Sequence, residues 1–282
     1  MLVDPNERFS GFVLAAAFSV LFTSCLPADA AVGVWHEQGS ARVRLIATGV
    51  DAAGDIAAGI EIALEPGWKT YWRTPGDAGV APLIDFSAST NIDGTVMVEY
   101  PVPHRVDEGY AVSNVYEDYV VLPVTASAID PEATTALVLS LDIGVCKEIC
   151  IPEHYELSVE FDPGAPDPTV AKVLAGARAG LPREPVPSVL EVDGIVRVGG
   201  TDKRPVFEVA VVAPDAAKAE VFVEGPADWF PALPKLVASD ETHATFAVEF
   251  SRLGSKTPIG GNRFTVTVIA NGKAIEDAVT LD

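Results

Sequence analysis

Ala136-Leu137-Val138-Leu139-Ser140-Leu141-Asp142 and Tyr155-Glu156-Leu157-Ser158-Val159-Glu160-Phe161 place large apolar side chains at every second position. Successive side chains of a strand point to opposite faces, so this spacing describes strands with one face in a core and the other in water. Working outward, β-rich runs recur at 41–48, 56–64, 95–100 and 119–124. Turn signals separate them: Glu65-Pro66-Gly67, Thr74-Pro75-Gly76-Asp77 and Pro101-Val102-Pro103. Short strands punctuated in this way read as an antiparallel β-sandwich. Asp162-Pro163-Gly164-Ala165-Pro166 ends the series.

One helix follows. Asp167 is a suitable N-cap, Pro168 fits the first turn, and Val170, Val173, Leu174 and Ala177 keep a three-four spacing. Gly180 and Pro182 stop it, and Pro182, Pro185 and Pro187 make a stiff connector. Strands resume at 206–212, 220–223, 244–250, 264–270 and 274–281, with Asn271-Gly272 as a type I′ hairpin signal between the last two. The expected fold is therefore all-β, two sandwiches joined by a short helix and a Pro-rich linker. The expected division is 1–30 signal peptide, 31–165 first sandwich, 166–188 helix and linker, and 189–282 second sandwich, a structural or docking module.

The 282 residues carry 19 Lys+Arg against 40 Asp+Glu, a formal charge of −21, which argues against nucleic acid as a partner. Hydrophobic residues at 49% and charged residues at 21% exclude a disordered chain. No apolar run reaches the roughly 20 residues that a spanning helix needs. Phe12 to Phe22 has the length of a signal-peptide apolar region, and Ala28-Asp29-Ala30 supplies small residues before a cleavage point at Ala31. A lipid anchor through Cys25 is the alternative, because Phe22-Thr23-Ser24-Cys25 loosely resembles a lipobox. Both readings place the chain in an oxidising compartment outside the cytoplasm. Cleavage removes one Arg and three acids, leaving −19.

Two cysteines survive cleavage, in Val145-Cys146-Lys147-Glu148-Ile149-Cys150-Ile151-Pro152. Close thiols in an exported chain most simply form a disulfide. As a staple it would contribute little: a loop of about five residues is worth roughly 2 kcal/mol, against about 4.7 for about 100. A short, accessible bridge is also the exchangeable kind, so redox activity is favoured over a purely structural role. A metal reading stays open, since Cys146, Cys150 and His154 are spaced by four and suit Cu(I) or Zn on a helical face. Pro152 would break that helix, and along a strand four residues span about 13 Å. Ser113, Ser158 and the histidines His36, His104, His154 and His243 form no hydrolase constellation. Trp68, Tyr71 and Trp72 read as core, or as a ligand platform.

Four stretches in order carry a family resemblance. They are Pro66-Gly67-Trp68-Lys69-Thr70-Tyr71-Trp72-Arg73-Thr74-Pro75-Gly76-Asp77, Tyr100-Pro101-Val102-Pro103, Tyr116-Glu117-Asp118-Tyr119-Val120-Val121-Leu122-Pro123-Val124 and the cysteine segment 145–152. Over about 33–162 the chain resembles the periplasmic N-terminal domain of the thiol:disulfide interchange protein DsbD, with a closer likeness to the two-sandwich ScsB-like form. The resemblance implies immunoglobulin-like sandwiches and a redox-active Cys146–Cys150 pair without a cofactor. It implies thioredoxin-fold periplasmic partners, a membrane electron carrier, and a setting such as copper tolerance or cytochrome c biogenesis. By resemblance, Cys150 forms the mixed disulfide and Cys146 resolves it. Asp107-Glu108-Gly109-Tyr110 falls where the family has a cap loop, with Tyr110 as the shield. Asp107 and Glu108 near the pair would raise the thiol pKa, and Lys147 would oppose this. DsbD spaces its cysteines more widely, and the chain ends at Asp282 without the electron carrier of full-length relatives, so the carrier is expected to act in trans. A copper-handling module and a protein with an inert bridge are the competing functions.

Overall fold

A computed structural model describes residues 31–164 and 166–281; the expected signal segment and Cys25 lie outside the described residues. The first sandwich has one sheet ordered Ala31–Val32, Ala41–Val50, Asp55–Leu64, Tyr119–Ser127 and Met97–Val98, with His36–Gln38 beside Ala41–Val50. The other sheet is ordered Cys150–Phe161, Thr135–Cys146, Lys69–Gly76, Val112–Glu117 and His104–Asp107, with Leu83–Asp85 on Thr135–Cys146. Leu45, Ile60 and Leu122 from one sheet meet Trp72, Leu137, Leu139 and Leu141 from the other in a closed core. Period-two alternation fixes this register, because a slip by one residue would turn the leucines to water.

The second sandwich sets Glu191–Thr201, Arg204–Val212, His243–Ser251, Phe230–Pro231 and Lys235–Ser239 against Glu220–Glu224, Arg263–Ala270 and Lys273–Thr280. Its centre is Phe207, Trp229, Phe250 and Phe264, with ring centroids 5.3 to 6.1 Å apart. Asn271 and Gly272 both take positive φ, as a type I′ turn requires, and Ala270 pairs with Lys273. The all-β architecture of two immunoglobulin-like sandwiches, a helix and a Pro-rich connector is the one observed.

The helix is Pro168–Ala179, and the Asp167 carboxylate accepts from the amides of Thr169 and Val170 at 2.7 and 2.9 Å. Val170 and Leu174 pack on Ile46 and Val121. Leu174 lies over Gly59, where a Cβ would stand 2.7 Å from its Cδ2. Small size, not backbone freedom, is what that glycine supplies.

Several elements differ from the sequence reading. The runs at 136–142 and 155–161 extend towards each other into one long hairpin, Thr135–Cys146 with Cys150–Phe161. The 95–100 run shrinks to Met97–Val98, because Gly94 turns the chain at positive φ and Pro101 and Pro103 offer no amide donors. Lys69–Gly76, His104–Asp107, Val112–Glu117, Glu191–Thr201 and Lys235–Ser239 are strands that the pattern did not announce.

Candidate functional site

The long hairpin ends on the cysteines. Cys146 and Cys150 sit directly opposite each other in its last register position, joined by a disulfide with Cα atoms 4.1 Å apart. Lys147-Glu148-Ile149 makes the turn, closed by a bond of 3.1 Å from the Lys147 amide to the Ile149 carbonyl. The three positions considered for a metal therefore lie along a strand ladder and not on a helical face.

The two sulfurs have different surroundings. Val145 points into the sandwich core, so Cys146 points to the sheet's other face, where it packs with Tyr71, Val115 and Val106. Cys146 is 1% exposed, whereas Cys150 is exposed and its neighbour Ile149 is 67% exposed. The Tyr71 hydroxyl lies 3.2 Å from the Cys150 Sγ, and a disulfide sulfur can only accept, so the phenol donates. Burial raises the Tyr71 pKa, and the nearby Glu108 charge raises it further, so the phenol keeps its proton. Gly79 leaves room for this ring: a Cβ there would stand 2.3 Å from Tyr71 Cε1.

The 108–111 segment is the turn joining His104–Asp107 to Val112–Glu117. The Asp107 carboxylate accepts from the Gly109 amide at 2.7 Å, which orders the turn, and Gly109 takes positive φ. Glu108 forms an ion pair with Lys69 and accepts from the Tyr110 hydroxyl at 3.2 Å. The hydrogen bond from Lys69 holds the Glu108 carboxyl below its ordinary pKa, while burial opposes this. Tyr110 itself is 80% exposed, standing beside the pair's surroundings and outside the core. Lys147 turns to the 65–68 bend, its Nζ 3.4 Å from the Pro66 carbonyl. His154 lies four register positions along from the disulfide, opposite Asp142. Its Nδ1 is 2.9 Å from Asp142 and its Nε2 is 2.9 Å from Glu156. Both ring nitrogens are occupied, so a copper role would have to break one of these contacts. Among the described residues no group of three or more His, Cys, Asp and Glu converges to hold a metal ion.

Residues 42–161 match the family model for the N-terminal domain of the thiol:disulfide interchange protein DsbD. Over this segment the chain is similar to that domain. The chain is also similar in structure to the N-terminal periplasmic domain of ScsB from Proteus mirabilis, at 22% identity and a TM-score of 0.68, covering 89% of this chain and 99% of that one. That likeness concerns the fold and spans both sandwiches. No curated protein matches the chain significantly. Among the described residues no helix is long and apolar enough to cross a membrane.

Within this segment, Lys69 and Tyr71 reach the pair's surroundings; sequence reasoning gave Lys69 no site role, and Tyr71 one only as a member of the Trp68, Tyr71 and Trp72 cluster, read as core or as a ligand platform. The signal was present in the spacing. Trp72 is core, and Tyr71 and Lys69 are its odd-numbered companions on the opposite face, paired with Val115 and Glu117. Cys146 pairs with Lys69 across the next ladder, so all of them share that face.

Proposed function

We propose that the chain is an exported thiol–disulfide exchange protein in which Cys146 and Cys150 pass reducing equivalents to thioredoxin-fold partners. The supporting observation is the unequal exposure of the two sulfurs at a hairpin tip. In the reduced state the Cys150 thiolate attacks a partner disulfide, the partner's second sulfur leaves as a thiolate, and a mixed disulfide forms. The Cys146 thiolate then attacks the Cys150 Sγ, re-forming the bridge and releasing the partner as a dithiol. Two electrons pass to the partner, and a membrane electron carrier resupplies them through the accessible sulfur of Cys150. Tyr71 donates to that sulfur and steadies its thiolate, while the Glu108 and Tyr110 hairpin borders the approach. The location is the periplasm after cleavage near Ala30, with a lipid anchor at Cys25 as the alternative. Residues 189–282 serve as a structural or docking module.

The equilibrium redox potential of the pair, followed by thiol labelling, tests this reading. Inert structural bridges lie below roughly −300 mV, and a value in that range would remove the exchange function. A higher value, together with capture of a thioredoxin-fold partner by Cys146→Ser and not by Cys150→Ser, is the expected result.

A further inference from the structure

The strands that carry the cysteine pocket also carry the junction between the two sandwiches. On Lys69–Gly76, Tyr71 faces the disulfide and Trp72 meets Phe222 of the second sandwich edge-on, with centroids 5.3 Å apart. Phe222 is buried within the first sandwich's own core. Arg73 then donates to both Glu224 oxygens at 2.7 to 3.0 Å and pairs with Glu276, and the Thr74 hydroxyl donates to Glu224 at 2.7 Å. The neighbouring hairpin repeats the arrangement. Arg105 donates to the Val221 carbonyl at 3.0 Å and lies 4.3 Å over the Phe222 ring, while the next residue, Val106, packs with Cys146 and Tyr71.

We infer that the second sandwich is a positioning element of the exchange site: Phe222, packed on Trp72 beside Tyr71, and Arg105, next to Val106, set the stance of the Tyr71 hydroxyl on Cys150. A strand transmits such a constraint because adjacent side chains share one backbone and point to opposite faces. Tyr71 has little freedom to compensate, since its ring lies against Gly79 and Gly144. Phe222 and Arg105 touch neither sulfur and are positioning residues. The inference rests on the reading of Cys146–Cys150 as the exchange pair.

The experiment uses the full chain with Cys146→Ser, leaving Cys150 as the thiol of the pair, and follows its alkylation by iodoacetamide against pH. Tyr71→Phe sets the scale: losing one hydrogen bond to the thiolate lowers its population about fivefold at neutral pH. Phe222→Leu and Arg105→Ala should each slow alkylation by about twofold or more and raise the pH midpoint, and neither should add to Tyr71→Phe in the double variant, as coupled neighbours require. An unchanged Cys150 midpoint in both variants overturns the inference, as does an effect that persists undiminished without the Tyr71 hydroxyl. Leucine keeps the Phe222 site apolar and filled, and Arg105 is partly exposed, so at least one variant folds for the measurement. Because the readout is the reduced single thiol, a bridge found to be inert would sink the exchange reading and still leave this coupling measured.

Discussion

Cys146 and Cys150 differ by position alone, and that difference can be put in numbers. In Cys150→Ser, a reagent reaches the remaining Cys146 only after the hairpin tip leaves the Lys69 ladder and the pocket of Tyr71, Val115 and Val106. Breaking at least one ladder hydrogen bond costs about 1 kcal/mol and re-exposing a small apolar side chain about 1–2, so the opening costs roughly 2–3 kcal/mol. At about 1.4 kcal/mol per factor of ten, Cys146 should alkylate roughly 30- to 150-fold more slowly than Cys150 does in Cys146→Ser. Stopped-flow labelling across a pH series, with each rate extrapolated to the fully ionised thiolate, separates access from acidity. A ratio within about threefold, or one that favours Cys146, would refute the argument that burial assigns the attacking role to Cys150.

Tyr110→Ala should change unfolding stability by no more than about 0.5 kcal/mol, the usual size for an exposed side chain, in chemical denaturation. Under a shielding role the same variant speeds reduction of the bridge by a small thiol, and an unchanged rate removes Tyr110 from the site. The Lys69–Glu108 pair gives a pH signature. Because the folded Glu108 pKa lies below its unfolded value of about 4.3, its contribution is present above that value and lost as pH falls through the folded pKa. Glu108→Gln should flatten the melting-temperature profile over that acidic window and leave it unchanged in shape near neutrality. His154→Ala should leave Cu(I) affinity of the reduced chain nearly unaltered in a chelator competition, since both ring nitrogens face carboxylates; a large loss would bring the copper reading forward.

How much of this was legible depends on what covers each face. The Leu137-Leu139-Leu141 strand announces itself because its other face meets water. Lys69–Gly76 does not, because Trp72 enters the core while Lys69 and Tyr71 on the opposite face are also buried, so neither face there meets water. Gly194, Gly199 and Gly200 weaken the strand pattern of Glu191–Thr201, yet it pairs throughout with Arg204–Val212 by shifting register at two points. At the site, the close thiols and the acidic turn could be seen in the sequence. Which sulfur is buried could not, since that depends on Val106 and Val115 arriving from other strands.

The acids were the weaker guide and the cations the stronger. With 40 Asp and Glu, proximity of Glu108 to the cysteines singles it out from nothing; its depressed pKa comes from the ion pair with buried Lys69. Only 19 Lys and Arg are present, and Lys69, Arg73 and Arg105 stand at the exchange pocket or the sandwich junction. Burial pulls the Arg73 pKa down, but bonds to Glu224 and Glu276 more than reverse it, so the guanidinium stays charged. A half-buried cation in so acidic a chain is costly to strip of its partners, and removing Glu224 would leave Arg73 with Glu276 alone. The junction is thus held by charges that cannot be exchanged cheaply for the solvent-facing acids around them. That gives the two sandwiches a fixed contact through the same strands on which the cysteine pocket is built.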